Sequence, residues 1–312
     1  MNLLKRKGSR LTTGEKVFQL FNLIFLLLFA FTTLYPFVYF IACSFNDGAD
    51  LMRGGVYFFP RVFTLENYMT AFRNKYILSA FSVSVFHTVV GTILSLAVTS
   101  LVGYSMTYKE MPGRKWLILS IYLPGWLGAG GIIPTYVLYR NLGLLNSIWV
   151  YILPGVFSMG NAILFRANFD AIPSGLIEAA RIDGCTEFRI FWKIVLPLSK
   201  PILATIALFV GVAHWNAWFA GEYYVTRDNL RPAATLLRQL LTEADTLSAI
   251  KQNVENLSND IVDYENVVRT NTVTADSLRM TFVVILTTPI LIVYPFLQKY
   301  FVKGIMAGSI KG

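Results

Sequence analysis

The sequence predicts an all-α integral membrane protein with about six transmembrane helices, and three observations carry that prediction. Of the 312 residues, 55% are apolar and only 14% are charged, whereas a soluble domain is roughly 25% charged. Charge-free runs occupy 17–46, 76–108, 116–139, 141–165, 201–221 and 280–298, each close to the roughly 20 residues that cross a bilayer as helix. Lysine and arginine gather on alternate connections between these runs. A soluble protein can bury one such helix, but six in 312 residues leave too little polar chain to cover them.

The chain accordingly divides into an N-terminal segment 1–16, spans 17–46, 76–108, 116–139, 141–165, 201–221 and 279–298, outer segments 47–75 and 222–278, an inner loop 166–200 and a tail 299–312. Lys5, Arg6, Lys7 and Arg10 precede the first run, and Phe40-Ile41-Ala42-Cys43 faintly resembles a lipoprotein cleavage site. Secretory signal cores, however, are roughly 7–15 residues long. A 30-residue run is a retained helix. With the N-terminus inside, the inner segments hold 16 of the 27 basic residues and the outer segments 12 of the 18 acidic ones, the asymmetry that orients membrane helices. Both termini are then cytoplasmic, and the basic net charge reflects topology without a nucleic-acid partner. Cys43 and Cys185 fall on opposite sides of the membrane, so both are free thiols.

Gly48, Gly54, Gly55 and Pro60 make 47–75 irregular with short helices, and Pro112-Gly113 forms a tight turn after the second span. In the third span Pro124-Gly125, Gly128, Gly130-Gly131 and Pro134 crowd together. Two arrangements fit that crowding: a bent helix lining a pathway, or close helix packing through small residues. The turn Arg140–Asn146 follows, and the fourth span ends near Arg166. Within 222–278, Leu247, Ile250, Val254, Leu257, Ile261, Tyr264 and Val268 recur at steps of 3 and 4, which predicts an amphipathic helix outside the membrane. Its stripe packs either on the chain's own outer surface or on a partner.

The inner loop is the most specific stretch. Pro173 and Ser174 can open a helix, Gly184 can end it in a left-handed conformation, and Thr186 can cap a second helix that Pro197 closes. Phe188, Phe191, Trp192 and Val195 form an apolar stripe on the second helix, flanked by Arg189 and Lys193. Such an elbow suits insertion into a groove of another protein; the alternative on pattern alone is an interfacial helix among lipid headgroups.

Glu178-Ala179-Ala180, three residues, Gly184, nine residues, then Ile194-Val195-Leu196-Pro197 resembles the loop motif of ABC importer permeases at every specified position. Phe63-Thr64-Leu65-Glu66-Asn67-Tyr68, Leu142-Gly143-Leu144-Leu145-Asn146, Trp215-Asn216-Ala217-Trp218 and the tail from Tyr300 to Gly312 are similar to the carbohydrate branch, MalG-like permeases, and within it the LplC-like subgroup associated with oligosaccharides and polysaccharides. The resemblance covers nearly the whole chain; the long outer loop is the departure. It implies the type I ABC importer permease architecture, with a cytoplasmic coupling helix and here a helical extracytoplasmic insertion, in the bacterial cytoplasmic membrane. It also implies a second homologous permease subunit, an ABC ATPase dimer that binds ATP and Mg, and an extracytoplasmic solute-binding protein.

By that resemblance Glu178, Ala179, Ala180 and Gly184 lie at the joint with the ATPase, and Asp183, Phe188, Phe191 and Trp192 of the same elbow are counted with them. No Gly-x4-Gly-Lys-Ser/Thr phosphate loop occurs in the sequence, so ATP chemistry is expected in a partner. Neither a metal site nor a nucleophile with its base is recognisable, and His87 and His214 read as packing residues of separate spans. For a sugar, whose C–H faces stack on aromatic rings and whose hydroxyls need directional partners, the candidates are Trp215, Asn216, Trp218, Trp126 and Tyr136. Anchoring in the interfacial belt is the competing explanation for the tryptophans and the tyrosine. Arg140, Arg227 and Arg231 stand near the outer mouth, where uronic-acid sugars could meet them. Charge-free spans argue against an ion-coupled secondary transporter, while a permease for a non-sugar solute stays open.

Overall fold

The computed structural model describes residues 12–73, 75–108, 111–127, 130–240, 242 and 273–309, the side chains of 124–127, 294 and 296–309 aside. The stripe predicted over 247–268 and the side chain of Trp126 therefore lie outside the described residues. Helices account for nearly all of the regular structure; the described residues add a single antiparallel bridge, Asn46 to Phe63. Four helical segments are long and apolar enough to cross a membrane, and a bent pair raises the number to five. The predicted third span is covered by two pieces, Arg114–Leu127 and Ile132–Asn141.

The chain folds as two units, the smaller drawing on residues 1–71 and 260–284. Helix α1 (Thr13–Ser44) is started by a capping box, in which the Thr12 hydroxyl accepts from the Glu15 amide at 3.3 Å and the Glu15 carboxylate accepts from the Thr12 amide at 2.7 Å, satisfying groups a helix start leaves bare. Its buried residues begin only at Ala42, so its apolar flank is left for lipid or another chain. Past α1 come α2 (Gly48–Met52) and α3 (Glu66–Arg73). Asparagines organise this unit. Asn46 accepts from the amides of Arg61 (2.7 Å) and Val62 (3.0 Å) and donates to Asp50. Buried Asn67 donates to the carbonyls of Ser44 (3.0 Å) and Asn46 (2.8 Å) while accepting from the Ser277 hydroxyl at 2.8 Å. Tyr68 shares a hydrogen bond with the Ser44 hydroxyl, so Asn67 and Tyr68 of the motif before the second span are structural ties.

The larger unit comprises residues 72–259 and 285–312. Its axis is α4 (Ile77–Thr107), against which α8 (Met159–Phe169) and α12 (Lys200–Trp215) both pack. Ser84, His87, Gly91, Ser95, Thr99 and Gly103 recur on its buried side, and small residues are what allow helices in lipid to approach closely. The approach leaves no slack: a Cβ on Gly91 would lie 2.6 Å from His214 Nε2, and one on Gly103 2.8 Å from Phe165 Cβ. His87 Nε2 lies 2.9 Å from the His214 carbonyl, which fits the packing role read from the sequence.

After α4, Pro112 and Gly113 (φ 76°) make the expected turn, closed by Arg114 N–H to Met111 O at 3.2 Å. Helices α5 (Arg114–Leu127) and α6 (Ile132–Asn141) follow. The fourth predicted span differs from expectation. It is helical only from α7 (Trp149–Ile152), passes through a tight turn at Leu153–Gly155, and bends by 47° into α8, which runs on to Phe169. Pro154 cannot continue the hydrogen-bond ladder, and Gly155 is pressed against the His214 ring.

Two core clusters occupy the two ends of α4. One gathers Tyr104, Phe165, Phe169, Ala180, Ile190, Phe191, Val195, Ile206 and Val210; the other gathers Val83, Val150, Tyr151, Tyr224 and Val225. Val83 and Tyr104 are 21 residues apart on one helix, which at 1.5 Å per residue is about 30 Å, the thickness of a hydrocarbon core. The clusters thus mark opposite faces of the membrane.

Asn67→Leu removes the donor to two carbonyls and the acceptor for Ser277 while keeping the volume. It is expected to destabilise the smaller unit by about 1–3 kcal/mol, measured as a lower thermal midpoint of the purified protein in detergent.

Candidate functional site

Beyond α8 the chain leaves the core cluster to build an elbow. Helix α9 (Ser174–Ile182) ends in a double hydrogen bond, Cys185 N–H to Ala180 O at 2.9 Å and Gly184 N–H to Arg181 O at 3.0 Å. This Schellman closure requires a left-handed residue, and Gly184 supplies it at φ 75°. Thr186 then caps α10 (Glu187–Ile190), its hydroxyl accepting from the Arg189 amide.

The second arm carries on through a π turn at Phe191–Val195 and α11 (Leu196–Leu198). Pro197 was expected to close it, but the break comes at Ser199, immediately before α12. A proline cannot donate to the carbonyl four residues back, and the widened turn just before Pro197 is where the backbone absorbs that loss.

The predicted apolar stripe is divided between two faces. Phe191 (1% exposed), Val195 and Ile190 are sunk into the cluster with Tyr104 and Phe169, with Ala180 of α9 beside them. Phe191 and Ala180 therefore anchor the elbow from beneath and do not share its outer surface; the neighbours Phe191 and Trp192 point about 100° apart around a helix axis, and Phe191 takes the side turned to the cluster. On the outside stand Phe188 (64% exposed) and Trp192 (50%), their rings edge to face at 6.1 Å, together with Ile182 (86%). Glu178, Ala179, Asp183 and Gly184 are exposed on the first arm.

A residue that sequence reasoning passed over fastens the two arms. Glu187 accepts from Arg181 Nε at 2.7 Å and from the Tyr104 hydroxyl of α4 at 2.7 Å. Burial pushes its carboxyl up, but the bonds from Arg181 and Tyr104 outweigh burial and hold it below the ordinary carboxylate value. The only sequence signal for this residue was an acid in the first turn of a capped helix. Arg181 also lies over the Tyr108 ring at 5.2 Å. Behind α9 a cavity of about 300 Å3 opens among Tyr104, Tyr108, Asp170, Ile177, Glu178 and Arg181.

The sugar-handling candidates gather at the other end of α4. Trp215 is the last residue of α12, and its indole N–H donates to Leu286 O at 3.1 Å, so its polar edge is spent on the last helix, Ala275–Ser309. Asn216 caps α12 with its side chain exposed. Trp218 precedes α13 (Phe219–Tyr223) and lies beneath Arg238. Tyr136 is half-exposed beside Tyr224, with rings 6.3 Å apart. Asn146, in a left-handed conformation at φ 56°, ties the turn after α6 to this end by accepting from the amides of Thr226 (2.7 Å) and Arg227 (3.2 Å).

The profile of the family described as "Binding-protein-dependent transport system inner membrane component" matches residues 116–307. The chain belongs to this family. The permease is 37% identical over 301 residues to Protein LplC of Bacillus subtilis (strain 168), covering 96% of this chain and 97% of the relative. It is 35% identical over 298 residues to the polygalacturonan/rhamnogalacturonan transport system permease protein YtcP of the same organism, covering 96% and 99%. Among solved structures, the crystal structure of a bacterial ABC transporter involved in the import of the acidic polysaccharide alginate matches with a TM-score of 0.80 and 27% identity, over 94% of this chain and 100% of that one. The permease is thus a multi-pass inner-membrane component of a binding-protein-dependent ABC transport system, as its sequence predicts.

Because the Glu187 carboxyl is held low, its contribution to the elbow is complete above the unfolded carboxylate value of about 4.3 and is lost as pH falls through the lower folded value. The hydrogen-exchange protection of residues 174–198, taken relative to the intrinsic rate at each pH, is expected to fall on acidification through that window in the wild type. Glu187→Gln is expected to show fast exchange already at neutral pH.

Proposed function

We propose that this permease moves carbohydrate, as oligosaccharide or polysaccharide fragments, into the cell by alternating access, driven by an ABC ATPase dimer that docks on the elbow. The observation that carries the proposal is the partition of the elbow. Its inner side is locked into the α4 cluster, while Ile182, Phe188 and Trp192 are exposed beside Glu178 and Asp183. Large apolar groups on a short, rigid protrusion match the anchor-in-groove mode of helix recognition. On this reading Glu178, Ala179, Asp183, Gly184, Phe188 and Trp192 meet the ATPase, and Phe191 and Ala180 transmit its movement inward.

ATP and Mg are held by that partner, in keeping with a sequence that carries no phosphate loop. The elbow and both termini lie in the cytoplasm, on the side richer in lysine and arginine. A second, homologous permease chain completes the pathway, and the apolar flank of α1, exposed from Val17 to Leu34, leaves room for lipid and for that chain. An extracytoplasmic solute-binding protein delivers the sugar to the opposite face. The carbohydrate assignment draws on relatives named for polygalacturonan, rhamnogalacturonan and arabinooligosaccharides, and on the alginate importer.

Glu178→Ala removes the charge on the exposed arm, and Gly184→Val forces a branched residue into a left-handed turn, a strain of about 1–2 kcal/mol. Each is expected to lower uptake by tenfold or more, in line with losing a charged contact worth about 1.5–3 kcal/mol, with membrane insertion and protein amount unchanged. Unaltered uptake in both variants sinks the docking role.

A further inference from the structure

The membrane face opposite the elbow carries a charge imbalance with a definite shape. Within the described stretches 140–146 and 216–240, Arg140, Arg227, Arg231 and Arg238 stand against Glu222 and Asp228. Both carboxylates are engaged. Asp228 pairs with Arg231 at 3.0 Å, and Glu222 accepts from the Gln239 amide at 3.3 Å while Gln239 accepts from Arg231 at 3.0 Å.

Arg238 has no described carboxylate beside it; its guanidinium carbon sits 3.6 Å from the centre of the Trp218 ring. That stack is built in advance. Residues 233–240 are helical and press on the segment after α12: the Thr235 hydroxyl donates to Trp218 O at 2.8 Å, and Gly221 is so close to Pro232 and Thr235 that no side chain fits there.

A guanidinium centred over an indole is attracted to its face, and a guanidinium fork can make two parallel bonds to a carboxylate. Next to the stack, the exposed rings of Phe219 and Tyr223 lie 4.5 Å apart, with Phe219 5.8 Å from Trp218. Saccharide C–H faces pack on such rings, and the exposed Asn216 amide offers a donor and an acceptor to hydroxyls.

We propose that Arg238, stacked on Trp218 beside the Phe219–Tyr223 ring pair, receives the carboxylate of a uronic-acid sugar, which makes acidic oligosaccharides the preferred cargo. The inference rests on the carbohydrate reading above and narrows it.

The test uses the complete transporter, with its second permease, ATPase and binding protein, in proteoliposomes. The probes are tetragalacturonate and its carboxyl-reduced, neutral counterpart, and the readout is the ratio of their uptake rates. The wild type is expected to favour the acidic sugar. Arg238→Gln is expected to lower that ratio by tenfold or more, the scale of a lost charge-assisted contact, and Arg238→Lys to restore it in part. An unchanged ratio in Arg238→Gln, or a wild type that takes the neutral sugar equally well, overturns the proposal while leaving a carbohydrate permease. Equal loss of both sugars, together with weaker capture of the empty binding protein, overturns it by making Arg238 a protein contact. Uptake of neither sugar alongside uptake of an amino acid rejects the carbohydrate reading itself.

Discussion

Close contact along the small-residue side of α4 is the constraint on which the larger unit depends. Apolar helices gain nothing by hiding from lipid tails, so their association relies on close contact and on polar groups that cross between backbones. Gly91 and Gly103 permit that contact with the His214 ring and with Phe165, and His87 reaches the carbonyl of His214. Because α8 and α12 both use this side, the bend before α8 and the end of α12 are positioned by one surface. The elbow and the arginine-rich face are then held about a bilayer apart by a single uninterrupted helix.

Much of this was legible from residues alone, for reasons that can be named. Membrane spans declare themselves because lipid excludes charge, and Gly184 and Thr186 announce a helix end and a helix start because few residues can take those positions. The break in the fourth predicted span was missed, since Pro154-Gly155 lies in a run free of charge. Phe191 was grouped with Phe188 and Trp192 because helical spacing puts all three within one broad arc, and spacing alone does not say which edge of the arc meets the core. Glu187 was invisible for another reason: Arg181 is six residues away and Tyr104 lies 83 positions back, and spacing rules cannot see across a fold. The same holds for Arg238 and Trp218, twenty residues apart and joined by the docking of one helix on another segment.

The motifs shared with carbohydrate permeases serve different purposes. Asn67 and Tyr68 tie the smaller unit together, and Asn146 binds a turn to the segment at 226–227. Trp215 spends its indole on the last helix. These positions set shape, whereas the outer side of the elbow and the Arg238 stack are where the molecule leaves chemistry unspent.

The Ser84 hydroxyl, near the start of α4, accepts from the Ala233 amide at 2.8 Å, at the first turn of the helix that carries Arg238; Tyr104, near the other end, grips Glu187. A stiff rod held at both tips behaves as a connecting shaft, so thrust applied to the elbow arrives at the arginine shelf without any intermediate hinge within α4. Under the proposed function, sugar release and nucleotide turnover share one mechanical part.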